Sequence, residues 1–226
     1  PDGARFVLRS DNQRLLNILN NVIRNGISPE QRKLIIKRWN GGGLSNIKMP
    51  ELTRLQKRWV ATHPTLRVGV AENFPPYSYI GNDDHYYGIT SDLLTLIQTQ
   101  TDLEIEIIRF AKLDDMIEAL INGKVDMLAD ISPSDQRRDW MTFSRSYLPT
   151  PYALVSPVSQ QRILSLDKTS NKRIAIADEH ALIPFLREQY PNLKLVEATD
   201  TPDAFAMVAA GEADFTIQPL FVARYY

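Results

Sequence analysis

The sequence contains no cysteine, no long apolar run and almost no net charge, and each absence excludes a class of protein. Without cysteine the chain has no disulfide framework, no thiolate metal site and no cysteine nucleophile. No apolar run reaches the about 18 residues that a membrane-spanning helix needs. The formal net charge of −1 at pH 7 argues against a dedicated nucleic-acid-binding protein. The 226 residues, 43% hydrophobic and 23% charged, are typical of a globular protein of one or two domains.

From residue 66 onward, apolar runs typical of strands alternate with helical patterns. The first set comprises strands at 66–71, 103–110 and 125–131 and helices at 88–99 and 113–122. The second set comprises strands at 173–177, 193–197 and 215–218 and helices at 181–189 and 201–210. An extended crossing joins the sets, which predicts an α/β protein with two lobes and a cleft between them. Ligands of open α/β sheets sit beyond the carboxyl ends of the strands, so residues that follow the strands are candidate site residues.

Several short motifs occur in the order in which a known family carries them. They are Arg67-Val68-Gly69-Val70 with Phe74-Pro75-Pro76-Tyr77, Gly88-Ile89-Thr90-Ser91-Asp92-Leu93, Gly123-Lys124-Val125-Asp126, Ser132-Pro133-Ser134-Asp135-Gln136-Arg137 with Phe143-Ser144-Arg145-Ser146-Tyr147, and Gly211-Glu212-Ala213-Asp214. This set resembles the bacterial periplasmic solute-binding domains of the polar amino-acid type. The resemblance implies the type II periplasmic-binding-protein fold, called the Venus flytrap, with lobe 1 at 66–150 and lobe 2 at 151–226.

A narrower resemblance lies ahead of lobe 1. The segments Leu55-Gln56-Lys57-Arg58-Trp59 and His63-Pro64 are similar to the lead-in of flytrap domains in hybrid sensor histidine kinases of the BvgS and EvgS kind. Such kinases carry flytrap domains in tandem in the periplasm. The resemblance therefore implies a periplasmic ectodomain of an inner-membrane protein, a neighbouring flytrap domain, and a homodimer in the full-length receptor.

The N-terminal segment has a pattern of its own. Residues 1–43 are predicted to form a strand and two helices, and residues 44–65 a linker with a helix. By resemblance, 1–43 is interpreted as the tail of a preceding flytrap domain, while the chain stops at Tyr226 before the return of lobe 2 to lobe 1. Either residues 5–39 fill the place of that return, in the same chain or a neighbouring molecule, or they pack elsewhere. A strand at 5–9 outside the sheet of lobe 1 would exclude the first interpretation.

Arg137 is the central candidate for ligand binding. Its guanidinium can form two parallel hydrogen bonds with a carboxylate, and by resemblance this position grips the ligand carboxylate. The alternative is a surface arginine at the start of a helix. By resemblance Ser132 joins the clamp through its hydroxyl or its amide, or it serves only as a helix N-cap. The neighbouring Arg138 is expected to face solvent.

Asp130 and Phe74 are further candidates in lobe 1. Asp130 occupies a position where the family often has a small polar residue. Its carboxylate could hold a ligand amine or cap a turn. Phe74 follows the first strand and is similar to the aromatic platform on which ligands stack, where an apolar face shields charge pairs from water. The alternative for Phe74 is packing in the core.

In lobe 2 this sequence departs from the pattern of the resembled family. The usual Gly-Ser/Thr turn is replaced by residues that include Glu179 and His180, and Pro219 stands where an aspartate normally holds the α-ammonium. Proline offers no carboxylate and no N–H. Either Asp130 or Glu179 takes over the ammonium, or the ligand has no α-amine, or the domain binds nothing. Gln218 is a possible polar contact, and His180 is a possible pH reporter or a surface residue.

The sequence thus predicts a ligand-sensing domain of a sensor histidine kinase that binds a small carboxylate or amino acid and signals by lobe closure. The alternatives are a free solute-binding protein of an amino-acid transporter, or an enzyme on the same fold such as a dehydratase. No catalytic residue is assigned, because no nucleophile elbow, P-loop or dinucleotide motif is present. No cofactor, metal or nucleic-acid partner is expected, and the three histidines show no metal-ligand spacing.

Overall fold

The computed structural model describes residues 4–27, 52–159, 166, 169, 171–178 and 180–226. These residues form two compact units, one reaching to Pro149 and the other comprising Thr150–Tyr226. The helix expected within 28–39 and the linker up to residue 51 lie outside the described residues. Among the described residues, no helix has both the length and the apolar character that crossing a bilayer requires.

The first unit contains the strands and helices predicted for its described residues, but the strand predicted at 125–131 is shortened to Met127–Leu128, and the strands Asn73–Phe74 and Met141–Phe143 were not predicted. The strands are β1 (Val7–Arg9), β2 (Thr65–Ala71), β3 (Asn73–Phe74), β4 (Ser78–Ile80), β5 (Tyr86–Tyr87), β6 (Glu104–Phe110), β7 (Met127–Leu128) and β8 (Met141–Phe143). The helices are α1 (Gln13–Asn21), which continues into a π-helical turn (Val22–Gly26), α2 (Arg54–Thr62), α3 (Ile89–Thr101), α4 (Leu113–Ile121) and α5 (Asp135–Arg138). Five of the strands form one sheet in the order β6-β2-β7-β1-β8.

The strand β1 lies inside this sheet. Strands β6, β2 and β7 are parallel, whereas β1 runs antiparallel to both β7 and β8, with Val7 opposite Leu128 and Phe143. Helix α1 then buries Leu15, Ile18 and Leu19 completely. Because β1 lies inside this sheet, the interpretation that residues 5–39 fill the place of the return of lobe 2 to lobe 1 is not excluded. Its origin in a preceding domain stays a prediction.

A small aromatic sheet, β3-β4-β5, precedes helix α3. The sequence pattern predicts a short hairpin of 77–80 with 86–87, which β4 and β5 form, and a proline-rich turn at 73–76, where the structure has the two-residue strand β3. Gly88 has a positive φ of 133°, and a Cβ at this position would lie 2.0 Å from the carbonyl oxygen of Tyr77. Only glycine fits there, and this close approach lets α3 start directly against the hairpin.

The second unit has a four-stranded sheet of its own. Its strands are β9 (Tyr152–Val155), β10 (Arg173–Ala177), β11 (Lys194–Ala198) and β12 (Phe215–Pro219), and its helices are α6 (Ile183–Gln189), α7 (Thr201–Ala209) and α8 (Leu220–Tyr225). The strand order is β11-β10-β12-β9, with β9 antiparallel to β12. The extended crossing expected at 147–155 thus ends as an edge strand. Ile174, Ile176 and Phe215 are fully buried in the core of this unit.

Both units carry the same arginine–aspartate contact at the start of their first parallel strand. The backbone N–H and the guanidinium of Arg67 donate to Asp126 at 2.8–3.1 Å. In the second unit, the backbone N–H and Nε of Arg173 donate to Asp214 at 2.7 and 3.3 Å. The aspartates of the two G-x-x-D motifs therefore hold the strand that follows each motif next to the first parallel strand of its sheet.

Candidate functional site

The loop after β7 carries three of the predicted site residues, and it ends in the short helix α5. Arg137 on this helix is 8% exposed. Its Nη1 donates to the backbone carbonyl of Ser132 at 3.0 Å. The N-cap is Ser134, whose hydroxyl accepts from the backbone N–H of Arg137 at 3.3 Å. The N-cap alternative for Ser132 is wrong, because the N-cap of this helix is Ser134.

Asp130 lies at the centre of a cluster of hydroxyl groups. Its carboxylate accepts hydrogen bonds from Thr90 and Tyr147, both at 2.6 Å, and from Ser78. The backbone N–H of Asp130 donates to the Tyr147 hydroxyl at 3.1 Å. The Ser78 hydroxyl also lies 2.8 Å from that of Tyr86. Asp130 has a positive φ of 61°, so these contacts hold a backbone conformation that residues other than glycine adopt rarely.

The electrostatics of this cluster follow from its burial. Burial raises the pKa of the Asp130 carboxyl, and the hydrogen bonds from Ser78, Thr90 and Tyr147 work against that rise. Burial, together with the charge of Asp130, raises the pKa of Tyr147 and of Tyr86 well above the usual value. Both phenols therefore stay protonated at neutral pH, and Tyr147 remains a hydrogen-bond donor to the carboxylate.

Phe74 belongs to the same region of the first unit. Its ring stacks on that of Tyr77, with 5.2 Å between the centroids and 12° between the planes. The next residue is Ser78, which donates to Asp130. The structure thus connects the segment that carries the predicted aromatic platform to the loop that carries Ser132 and Arg137.

In the second unit, Gln218 and His180 lie at the ends of two strands. Gln218 is buried in β12, and its Nε2 donates to the Thr216 hydroxyl at 2.9 Å. His180 follows β10, and its Nδ1 accepts from the backbone N–H of Leu182 at 3.2 Å. Its ring meets the ring of Tyr152 edge to face, with 6.0 Å between centroids. Glu179 lies outside the described residues.

Sequence reasoning assigned no role to the residues that donate to Asp130. Thr90 and Tyr147 both lie in motifs that carry the family resemblance, and that position in a motif was the available signal. Ser78 lies in the predicted hairpin and carried no signal of its own. Among the described residues, no group of three or more acidic or histidine side chains is arranged to hold a metal ion.

The order of motifs, the fold and the loop after β7 agree with a match to a known family. Residues 66–199, more than half of the chain, match the model of bacterial extracellular solute-binding proteins, family 3. The chain belongs to this family.

Two sensor proteins and one crystal structure resemble the chain more specifically than the family model does. The virulence sensor protein BvgS of Bordetella pertussis is 30% identical over 99% of this chain, and the sensor protein EvgS of Escherichia coli is 27% identical over 97%. The match covers 18% of each relative, so this chain spans less than a fifth of their length. The crystal structure of the periplasmic VFT2 domain of Bordetella pertussis BvgS matches with a TM-score of 0.71 at 30% identity, over 78% of this chain and 75% of that one. The chain is an α/β domain of the periplasmic Venus flytrap type that these sensor proteins contain.

Proposed function

We propose that this chain is the ligand-sensing domain of a two-component sensor histidine kinase and that it binds a small carboxylate. Similarity to two sensor proteins over nearly the whole chain supports the first part. Ligand contacts from both lobes would favour a closed state by their differential affinity, and closure would be the signal. The role proposed for this chain is ligand binding, and the kinase reaction is assigned to other parts of the full-length protein.

The observation that carries the carboxylate proposal is the buried guanidinium of Arg137. It is placed by a serine-capped helix and by the Ser132 carbonyl, on the loop that follows a parallel strand. A guanidinium at a strand's carboxyl end is suited to bidentate binding of a carboxylate. Ser132 and Phe74 are proposed as its partners in the first unit.

Two features favour a ligand without an α-amine. The Asp130 carboxylate already accepts hydrogen bonds from three hydroxyl groups, which makes it a poor ammonium site. Pro219 ends β12 where an ammonium-binding aspartate would be expected from the family resemblance. Aliphatic or aromatic carboxylates therefore fit the proposed site better than α-amino acids.

Thermal unfolding with two sets of compounds tests this proposal. Butyrate, succinate and benzoate represent amine-free carboxylates, and glutamate, glutamine and arginine represent amino acids. A ligand at about 100 times its Kd stabilises the folded state by roughly 2.7 kcal/mol. For a chain of this size, each kcal/mol raises Tm by about 2–4 °C. We expect a shift with the first set that is lost in Arg137→Ala and kept in Arg138→Ala, since Arg138 is exposed and its guanidinium lies over the Phe143 ring.

Three results would contradict the proposal. Equal shifts in wild type and Arg137→Ala would remove Arg137 from the site. Shifts with amino acids alone would show that an ammonium site exists. If none of these compounds shifts the folded wild-type protein, the proposed small-carboxylate ligand would be rejected.

A further inference from the structure

The hydroxyl cluster around Asp130 connects three separate parts of the first unit. Ser78 comes from β4, Thr90 from the first turn of α3, and Tyr147 from the segment after β8. The three donors meet on one carboxylate, and that carboxylate belongs to the loop that leads to Ser132 and Arg137. Displacing this carboxylate would therefore move the loop relative to all three elements.

Tyr147 holds Asp130 at two points. The same hydroxyl donates to Oδ1 of Asp130 at 2.6 Å and accepts from the Asp130 backbone N–H at 3.1 Å. It therefore fixes both the side chain and the main chain of a residue whose φ is positive. Such a backbone conformation persists when surrounding contacts determine it, and such residues are frequent at binding sites.

The Tyr147 ring is in turn held by the N-terminal segment. Phe6, fully buried, packs against it with 4.6 Å between ring centroids. The backbone N–H of Tyr147 donates to the carbonyl of Ala4 at 3.1 Å. The position of the hydroxyl is therefore set by packing as well as by its own hydrogen bonds.

We propose that Asp130 and Tyr147 are positioning residues of the carboxylate site, and that they act on the ligand only through the loop that presents Ser132 and Arg137. This inference rests on the proposed function and changes the role of Asp130 from a ligand contact to a support. A carboxylate suits this role, because it accepts from several donors and donates to none. A neutral side chain at this position would leave a buried hydroxyl without its acceptor.

The variant Tyr147→Phe tests the inference, because it removes the hydroxyl and keeps the ring against Phe6. The matched control is Tyr87→Phe, which removes another tyrosine–aspartate hydrogen bond, an exposed one of 2.6 Å to Asp83. Two readouts are needed: the affinity for butyrate, succinate and benzoate, and the ¹⁵N-¹H signal of Arg137 Nε without ligand. We expect affinity to fall about tenfold, which corresponds to about 1.4 kcal/mol, and the Arg137 signal to move, in Tyr147→Phe alone.

The two proposals fail in different ways. If no carboxylate binds the wild type, the proposed function fails, while the Arg137 signal still tests whether Tyr147 positions the loop. An unmoved Arg137 signal in folded Tyr147→Phe would overturn the inference. If that variant does not fold, Thr90→Val removes one donor to Asp130, and Thr90→Ser should restore both affinity and signal. A Thr90→Val protein with wild-type affinity and signal would then overturn it.

Discussion

In each unit, a single aspartate connects two neighbouring strands of the sheet by hydrogen bonds to one arginine. Asp126 and Asp214 each accept from the backbone N–H and the guanidinium of an arginine at the start of the first parallel strand. The backbone N–H of Arg173 is the main cause that lowers the pKa of Asp214, and Lys172 at 3.9 Å adds to the effect. The G-x-x-D motifs on which the family resemblance rests are therefore structural at their aspartates, whereas Arg137 is the residue proposed above to bind the ligand.

The substitution Asp214→Asn should lower the free energy of unfolding by about 1–2 kcal/mol at neutral pH, because a charged acceptor is lost. The pKa of Asp214 is lower in the folded state, so its carboxylate stabilises above the unfolded pKa of about 3.9. That contribution is lost as pH falls through the folded pKa. Urea unfolding at several pH values should show the difference between wild type and variant shrinking in acid. Glu212→Gln, exposed and nearby, is the control, and a difference independent of pH would contradict this account.

At the scale of elements, β1 is one that the sequence pattern described only in part. A strand at this position was predicted, but its partners lie far away in sequence. Phe6 and Ser144, which exchange hydrogen bonds next to β1, are 138 residues apart. Alternation of side chains reports that a strand has a buried face and says nothing about which strand lies beside it.

The buried position of β1 leads to a direct stability prediction. Leu8 in this strand is fully buried, so Leu8→Ala should cost about 2–5 kcal/mol through lost burial and a cavity. The matched control is Leu55→Ala in α2, where the side chain is 75% exposed and the same change should cost less than about 0.5 kcal/mol. Urea unfolding of both variants measures the two costs. Equal costs would show that β1 does not contribute to the folded core as described.

The candidate site shows the same division between what local sequence reveals and what it does not. Arg137 and Ser132 could be placed on one loop because their motif spacing resembles a family. The environment of Asp130 could not be predicted, because Ser78, Thr90 and Tyr147 come from three separate elements. The role of Ser132 was equally open from the sequence, because only the structure shows that the helix is capped by Ser134.

At the scale of the whole molecule, each unit has a hydrophobic core of its own. Leu120 is buried in the core of the first unit and Phe215 in that of the second. We expect Phe215→Ala to increase amide hydrogen exchange mainly in β10, β11 and β12, and Leu120→Ala to increase it mainly in β2, β6 and β7. Hydrogen exchange followed by mass spectrometry resolves these segments. Uniform loss of protection in either variant would show that the two units unfold as a single cooperative structure.

The position of β1 between β7 and β8 also constrains the order of folding. Synthesis and export both proceed from the N-terminus, so β1 is made long before β7 and β8. The strands with which it pairs in the described structure follow more than a hundred residues later. Pairings between such distant segments slow folding, and an apolar strand that waits unpaired is prone to aggregate. The first unit therefore completes its sheet late, after β7 and β8 have been made.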